Sequence, residues 1–145
     1  MKKVISVVLA VVMLFSLVTM SFAGYKDEAK LQFNKNGKFK ILCLADVQDS
    51  YPMEPAIIQF INEALDFANP DLVVFVGDNV VGEDFRAIGE MLAPLNERGI
   101  PFTYVYGNHD DEGGMAKEDQ LKEYQKSPGC LAYDAVPELH GCATH

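Results

Sequence analysis

The chain has 145 residues and a formal net charge of −9 at pH 7. A chain this acidic, with no basic cluster, is not expected to bind nucleic acids in general. Its three cysteines form no Cys-x-x-Cys pair, so the sequence gives no support for a structural zinc site. Cys43 lies within an apolar run and is expected to be buried, whereas a disulfide between Cys130 and Cys142 is left open.

The N-terminal residues have the pattern of a secretory signal peptide. Lys2 and Lys3 precede an uncharged apolar run over residues 4–20, and Ser21-Phe22-Ala23 gives the small-x-small ending of a cleavage site. Removal of residues 1–23 takes away two lysines and leaves a domain of residues 24–145 with a net charge of −11. The sequence therefore predicts a secreted or extracytoplasmic protein. The alternative is an uncleaved membrane anchor at the cell surface, for which the apolar run is long enough.

Residues 31–70 predict a β-hairpin, a buried strand and a helix. Asn36-Gly37 is a strong hairpin turn signal between residues 31–33 and a strand over residues 39–45. The second arm is continuously apolar, which is typical of a strand buried on both faces. Apolar residues then recur at helical spacing after Pro55, and Asn69-Pro70 ends this helix. The apolar stripe consists of Ile57, Ile61, Ala64, Leu65 and Ala68.

Residues 71–126 repeat the alternation of strand and helix. Buried strands are predicted over residues 72–76 and 102–106. The helix between them contains Pro94, which is expected to kink or split it. A polar, exposed helix is predicted over residues 115–126, and no periodicity follows it. The order of elements predicts an α/β fold. The apolar face of the middle helix consists of Phe85, Ile88, Leu92 and Leu95.

Polar residues follow each predicted strand directly. They are Asp46, then Gly77-Asp78-Asn79, then Gly107-Asn108-His109-Asp110. The three tips are about 30 residues apart, which is the length of one βα unit. If the strands are parallel, the tips meet at the carboxyl edge of the sheet, where open α/β sheets bind ligands. Oxygen donors and a histidine at one edge are the groups that a metal-assisted hydrolase requires.

These tips resemble the motifs of the calcineurin-like metallophosphoesterase family. The family has Asp-x-His, Gly-Asp and Gly-Asn-His-Asp/Glu after successive strands. This chain has Asp46-Val47-Gln48, Gly77-Asp78 and Gly107-Asn108-His109-Asp110. The resemblance runs from residue 39 to residue 110, and the last tetrapeptide is its most specific part. It implies the N-terminal half of a metallophosphoesterase-type α/β sandwich.

The resemblance also implies a site for two divalent metal ions, which would be manganese, iron or zinc. Asp46, Asp78 and Asn108 would be metal ligands, whereas Gln48 would be a weak ligand, a supporting residue or no participant. His109 would be the catalytic residue, which contacts the phosphoryl oxygen or protonates the leaving alkoxide, and Asp110 could orient its ring. Each motif also has a simpler interpretation, because Asp, Asn and Gly are common in ordinary turns.

Two features depart from the family pattern. Gln48 occupies the position of a histidine, and the later Gly-His-x-His motif is absent; the remaining histidines, His140 and His145, do not lie in such a motif. The expectation is an incomplete domain. The leading hypothesis is an exported phosphoesterase that hydrolyses small phosphate mono- or diesters, with its oligomeric state left open. The alternatives are a catalytically inactive fragment that binds cations weakly, or a phosphotransferase in which Asp46 is the nucleophile.

Overall fold

The computed structural model describes residues 31–134. The predicted signal peptide, residues 1–23, lies outside the described residues, as do His140, Cys142 and His145. Predictions about export, about the Cys130–Cys142 disulfide and about the tail histidines therefore stay predictions. Among the helices of residues 31–134, none has the length and apolar character needed to cross a membrane.

Three parallel strands form a single sheet in the order β1-β2-β3. The strands are β1 (Ile41–Leu44), β2 (Leu72–Val76) and β3 (Phe102–Val105). Leu44 lies opposite Phe75 across the β1–β2 pair. Because all three strands run in the same direction, their carboxyl ends emerge at one edge. The prediction of an α/β fold is confirmed, and so is the convergence of the three tips.

Three helices follow the strands in alternation: α1 (Pro55–Ala68), α2 (Arg86–Arg98) and α3 (Lys117–Tyr124). Pro55 occupies the first turn of α1, where its missing N–H is not needed. Asn69 ends that helix in a left-handed conformation, as Gly99 ends α2.

Helix α2 continues through Pro94, so of the two predicted outcomes, a kink or a split, the split is wrong. Proline removes one intrahelical hydrogen bond. Met91, Leu92 and Leu95 are nevertheless fully or almost fully buried around it. Packing of this apolar face on both sides of Pro94 holds the helix together across the missing bond.

The core lies between the helices and one face of the sheet. Because successive side chains of a strand point to opposite faces, burial alternates along β3 and, from Val73 onwards, along β2. On the other face, Ile41 is 55% exposed and Cys43 is also exposed. The predictions that β1 is buried on both faces and that Cys43 is buried are therefore wrong for the described part of the chain. The sheet residues of the core are Leu44, Val73, Phe75, Phe102 and Tyr104, and those from α1 and α2 include Ile61, Leu65, Ile88, Met91, Leu92 and Leu95.

The predicted hairpin forms only its turn. The N–H of Gly37 donates to the carbonyl of Asn34 at 2.8 Å, and the N–H of Asn34 donates to Lys38 O at 2.8 Å. No strand pair extends from this turn within the described residues, and β1 begins at Ile41 rather than at Phe39. An isolated two-stranded ribbon has little stability in water, which explains why the turn signal alone does not produce one.

Helix α3 is shorter and more firmly anchored than the sequence suggests. The predicted helix over residues 115–126 is a helix of eight residues whose Gln120 and Tyr124 are completely buried. The ring of Tyr124 stacks on that of Tyr104 with centroids 3.7 Å apart. These contacts fix α3 against β3 and bring Gln120 close to the loop that carries the third tip.

Candidate functional site

The tip of β1 lies directly against the tip of β2. The N–H of Asp46 donates to Gly77 O at 3.2 Å, and the N–H of Gln48 donates to Asp78 O at 3.0 Å. The side chains of Asp46 and Gln48 are exposed and make no hydrogen bond within residues 31–134. Their backbones are therefore fixed, while their side-chain oxygens remain available to a ligand.

Three of the proposed ligand residues have left-handed backbone conformations. The φ angles are 54° for Asp46, 46° for Gln48 and 49° for Asp78. Such angles are uncommon outside glycine and are unfavourable by about 1–3 kcal/mol each. Among residues 31–134, the other non-glycine residue with a positive φ is Asn69, which ends α1. Strained backbone tends to occur at functional sites, so its concentration at the two tips supports a functional role for this edge.

The tips of β2 and β3 approach each other through two glycines. A Cβ atom at Gly77 would lie 2.9 Å from the Cα of Gly107. A Cβ atom at Gly107 would overlap both the carboxylate and the backbone nitrogen of Asp78. Glycine at both positions is therefore what allows Asp78 to lie close to the third tip.

Carboxylates join these two tips in both directions. Asp78 Oδ1 accepts the N–H of His109 at 2.9 Å. Asp110 Oδ1 accepts the N–H groups of Asn79 at 2.7 Å and Val80 at 3.3 Å, and its Oδ2 accepts that of Gly107 at 2.6 Å. Each tip thus supplies a carboxylate to the backbone of the other.

Glu112, rather than Asp110, contacts the ring of His109. The distance between His109 Nδ1 and Glu112 Oε2 is 2.7 Å. Asp110 is only 1% exposed, and its carboxylate oxygens bind backbone N–H groups. This corrects the prediction that Asp110 orients the ring. The role of Glu112 was missed because the run Asp110-Asp111-Glu112 resembles a solvated loop; the signal was that Glu112 lies three residues after His109.

The His109–Glu112 contact changes the acidity of the imidazole. The hydrogen bond with Glu112 raises the pKa of His109 above its ordinary value of 6.5, and the charges of Glu112, Asp78 and Asp110 act in the same direction. Because a carboxylate can only accept, Nδ1 carries a proton in this pair. In the protonated ring, Nε2–H is then the second donor.

Asn108 has an exposed side chain that makes no hydrogen bond within the described part of the chain. Its two neighbours, Gly107 and His109, are both fixed through their N–H groups. The structure therefore brings Asp46, Gln48, Asp78, Asn108 and His109 to one edge of the sheet, linked by backbone hydrogen bonds.

The chemistry of this donor set fits a divalent metal ion. Two carboxylates and two amide oxygens are hard donors, which suit divalent cations such as Mn²⁺. Other carboxylates nearby are already engaged; Asp49, for example, accepts the N–H groups of Ser50 and Glu54. No group of three or more His, Cys, Asp or Glu residues within residues 31–134 has the arrangement of a metal site. The four proposed ligands include only two residues of these types, Asp46 and Asp78, and the amides of Gln48 and Asn108 supply the remaining oxygens.

A parallel sheet with these three tips is the arrangement that the resemblance to metallophosphoesterases implies. The family model described as calcineurin-like phosphoesterase matches residues 39–140, and the chain belongs to that family. The resemblance found in the tips is thereby confirmed, and it extends beyond the last tip.

Some relatives of the chain are named as phosphatases, and others as probable inactive phosphatases. It is 30% identical over 158 residues to "Probable inactive purple acid phosphatase 14" of Arabidopsis thaliana, covering 93% of this chain and 39% of that protein. It is 36% identical over 126 residues to "Phosphatase DCR2" of Saccharomyces cerevisiae, covering 69% and 22%. The chain therefore spans less than half the length of these relatives. No solved structure matches it.

Proposed function

We propose that this protein is an exported, metal-dependent phosphoesterase that hydrolyses small phosphate mono- or diesters at a dinuclear metal centre. The observation that carries the proposal is the convergence of Asp46, Asp78 and Asn108 at the carboxyl edge of the sheet. Most of their side-chain oxygens accept no hydrogen bond from the surrounding backbone, so these oxygens are available to bind a metal ion.

Asp46, Asp78 and Asn108 would hold the metal ions, with Gln48 as an additional neutral donor. Asp78 is the best candidate for a shared ligand, because Oδ1 is bound by the His109 N–H and Oδ2 makes no hydrogen bond within residues 31–134. When bound, the metal ions supply Lewis-acid polarisation of the phosphate and a water nucleophile of lowered pKa. The acidic net charge of −9 agrees with a site in which cations, rather than a basic patch, attract the phosphate.

His109 would donate a proton to the leaving oxygen from Nε2. Glu112 supports this role in two ways, because it holds Nδ1 at 2.7 Å and raises the pKa of the ring. A raised pKa keeps a larger fraction of the imidazole protonated at neutral pH. General acid catalysis by a positioned histidine typically contributes a factor of 10²–10⁴ in rate, so removal of the ring is a sensitive test.

Hydrolysis of p-nitrophenyl phosphate and of bis(p-nitrophenyl) phosphate, each with Mn²⁺ or with EDTA, tests the activity and distinguishes monoester from diester cleavage. We expect activity that depends on Mn²⁺, loss of it in Asp78→Asn, and a large decrease in His109→Ala. Asp111→Asn, which changes an exposed carboxylate paired with Lys117, is the matched control and should retain activity. An acid-stable phosphoenzyme together with full activity in His109→Ala would instead favour the phosphotransferase alternative, in which Asp46 is the nucleophile.

A catalytically inactive protein that binds cations weakly is the second candidate. The neutral Gln48 and the "inactive" names of some relatives favour it. Calorimetric titration with Mn²⁺ separates the two candidates. Binding in the millimolar range with no turnover of either ester supports inactivity, whereas turnover abolished by Asp78→Asn excludes it.

Export is proposed from Lys2, Lys3 and the apolar run that ends at Ser21-Phe22-Ala23. Expression of the chain in a secreting host followed by N-terminal sequencing of the exported product tests this. We expect Gly24 as the first residue. Retention of Met1 in a membrane fraction would support the uncleaved anchor.

A further inference from the structure

We propose that Asp110 is a positioning residue that fixes the donor groups of Asp78 and Asn108 relative to each other. The inference rests on the proposed function, because these donors are the proposed metal ligands. Both carboxylate oxygens of Asp110 accept backbone N–H groups, so Asp110 is not itself a proposed ligand. Its carboxylate acts on the backbone that carries the ligands.

The Asp110 carboxylate lies between the tips of β2 and β3. Oδ2 binds the N–H of Gly107 at the end of β3, and Oδ1 binds those of Asn79 and Val80 after β2. The side chain is almost completely buried. Hydrogen bonds from N–H groups to an ionised carboxylate are about twice as strong as neutral ones, so this group is well suited to hold two loops together.

The contacts of Asp110 and Asp78 also hold the backbone of Asn108. The residue before it, Gly107, is bound to Asp110, and the residue after it, His109, is bound to Asp78. The backbone of Asn108 is therefore held on both sides. Its exposed side chain carries no hydrogen bond of its own in the described structure, so its direction depends on these two backbone contacts.

Asp110 is itself held in place by a residue outside the site. Gln120 of α3 donates from Nε2 to the carbonyl of Asp110 and, at 2.9 Å, to that of Met115. Gln120 is completely buried. The loop between β3 and α3 is thus fixed at its start and near its end, which keeps the Asp110 carboxylate directed at the tips.

Two of the acidic residues of this loop have different partners. Asp110 binds the backbone of the tips, and Glu112 binds the ring of His109. Substitution of Asp110 should therefore weaken metal binding more than substitution of Glu112 does.

Asp110→Asn is the informative variant, because it keeps the shape of the side chain. Its amide oxygen can still accept from Asn79, but its NH₂ group would face the N–H of Gly107, donor against donor. Calorimetry should show Mn²⁺ binding weakened by about 10–100-fold, the usual effect of losing a group that supports metal ligands. The visible absorption of bound Co²⁺ should change as well, because the donors move. Asp111→Asn is the control for the loss of one negative charge, and it should change neither the Mn²⁺ affinity nor the Co²⁺ absorption.

Glu112→Gln supplies the second comparison, because the Glu112 carboxylate binds the ring of His109 rather than the backbone of the tips. We expect it to leave the Mn²⁺ affinity closer to that of the unsubstituted chain than Asp110→Asn does. An unchanged Mn²⁺ affinity in Asp110→Asn would overturn the proposal. Leu65→Ala, a core variant distant in sequence from the tips, controls for general destabilisation. If it weakens Mn²⁺ binding as much as Asp110→Asn does while still folded, Asp110 has only a structural role and the proposal is wrong.

Amide hydrogen exchange in the unsubstituted chain tests the inference even if Asp110→Asn does not fold. The N–H groups of Gly107 and Asn79 should exchange slowly in metal-free protein. Exchange at the rate of an unprotected loop would overturn the proposal. If the unsubstituted chain binds no Mn²⁺, the proposed function is wrong, and Asp78 and Asn108 are not metal ligands. Slow exchange would then show only that Asp110 links the backbones of the two tips.

Discussion

The carboxylate of Asp78 occupies the space that a side chain at Gly107 would need. A Cβ atom at Gly107 would overlap Asp78 Oδ1 and approach its Cγ to 2.7 Å. The most specific sequence motif of the chain therefore begins with glycine for a steric reason. The absence of a side chain allows a ligand carboxylate from the neighbouring strand to reach the third tip.

Gly107→Ala should displace Asp78 and weaken both the fold and the site. Insertion of one methyl group into a tightly packed position destabilises a protein by about 1–3 kcal/mol. We expect a loss of stability in this range by urea denaturation, and weaker Mn²⁺ binding by calorimetry.

Gly89→Ala provides the matched control. Gly89 lies on the exposed side of α2, and a Cβ atom there would meet no atom within 4 Å. This substitution should raise stability by about 0.5–1 kcal/mol, because alanine is the better helix former. Equal stability changes in the two variants would contradict the steric explanation for Gly107.

Glu112→Gln should lower the pKa of His109 towards 6.5. The carboxylate stabilises the imidazolium through a hydrogen bond and through its charge, and glutamine keeps only part of the first effect. Titration of the ring by ¹H–¹³C NMR in metal-free protein measures the change. Asp111→Asn, which lies next to Glu112 but does not contact the ring, should leave the titration almost unchanged.

The raised pKa of His109 also determines how the stability of the protein depends on pH. Because the folded pKa of His109 lies above the unfolded value, the stabilisation is complete at pH values below the unfolded pKa of about 6.5. It is lost as pH rises through the folded pKa. The difference in stability between the unsubstituted chain and Glu112→Gln should therefore be larger at pH 5.5 than at pH 8.5. A difference that grows with pH would contradict this assignment.

Tyr106→Phe should destabilise the contact between β3 and α3. Tyr106 donates its hydroxyl proton to Lys117 O at 2.5 Å, so the Tyr104 hydroxyl, 2.9 Å away, is the donor to Tyr106. The variant removes both bonds and leaves the buried Tyr104 hydroxyl without its acceptor. Leaving a buried polar group unpaired is unfavourable by about 1–3 kcal/mol. Tyr104→Phe, which keeps the bond to Lys117, should have the smaller effect in urea denaturation.

Alkaline conditions should weaken the same contact. Burial raises the pKa of Tyr106 to about 12, from an ordinary value of 10.0. Because the folded pKa is the higher one, the contribution of Tyr106 to stability is complete below pH 10 and is lost above it. Unfolding monitored by circular dichroism should therefore show a steeper loss of stability above pH 10 in the unsubstituted chain than in Tyr106→Phe.

The elements of this fold could be predicted where local chemistry decides them. Apolar runs ending in polar tips identified all three strands, and Pro55 and Asn69-Pro70 marked the bounds of α1 within one residue. The failures have a common origin in tertiary packing. The continuity of α2 through Pro94 depends on its buried face, and the exposure of Cys43 depends on which side of the sheet is covered.

The candidate site shows the same distinction. Sequence could predict that Asp46, Asp78, Asn108 and His109 meet at one edge of the sheet, because each follows a strand. It could not assign the partners of Asp110 and Glu112, because the sequence does not show in which direction their side chains point. That direction is set by the buried N–H groups of the tips and by Gln120 from α3, both of which require the folded arrangement.

Gln48→His tests whether the tip of β1 contributes to metal binding. The imidazole is a stronger ligand for divalent transition metals than a neutral amide oxygen. The backbone at this position has a φ of 46°, and histidine is among the residues that adopt such angles more readily than most. We expect Gln48→His to bind Mn²⁺ or Zn²⁺ about 10-fold more tightly, an effect of the size that ligand changes commonly produce.

The control for this last variant is Gln59→His on the exposed side of α1, where the side chain donates a hydrogen bond to Glu63. It adds the same imidazole to the chain but places it away from the tips, so calorimetry should show no gain. If both variants bind more tightly, the added affinity comes from a surface histidine and not from the site. If neither does, Gln48 lies too far from the metal to be a ligand, and its left-handed backbone serves only to place Asp46 against β2.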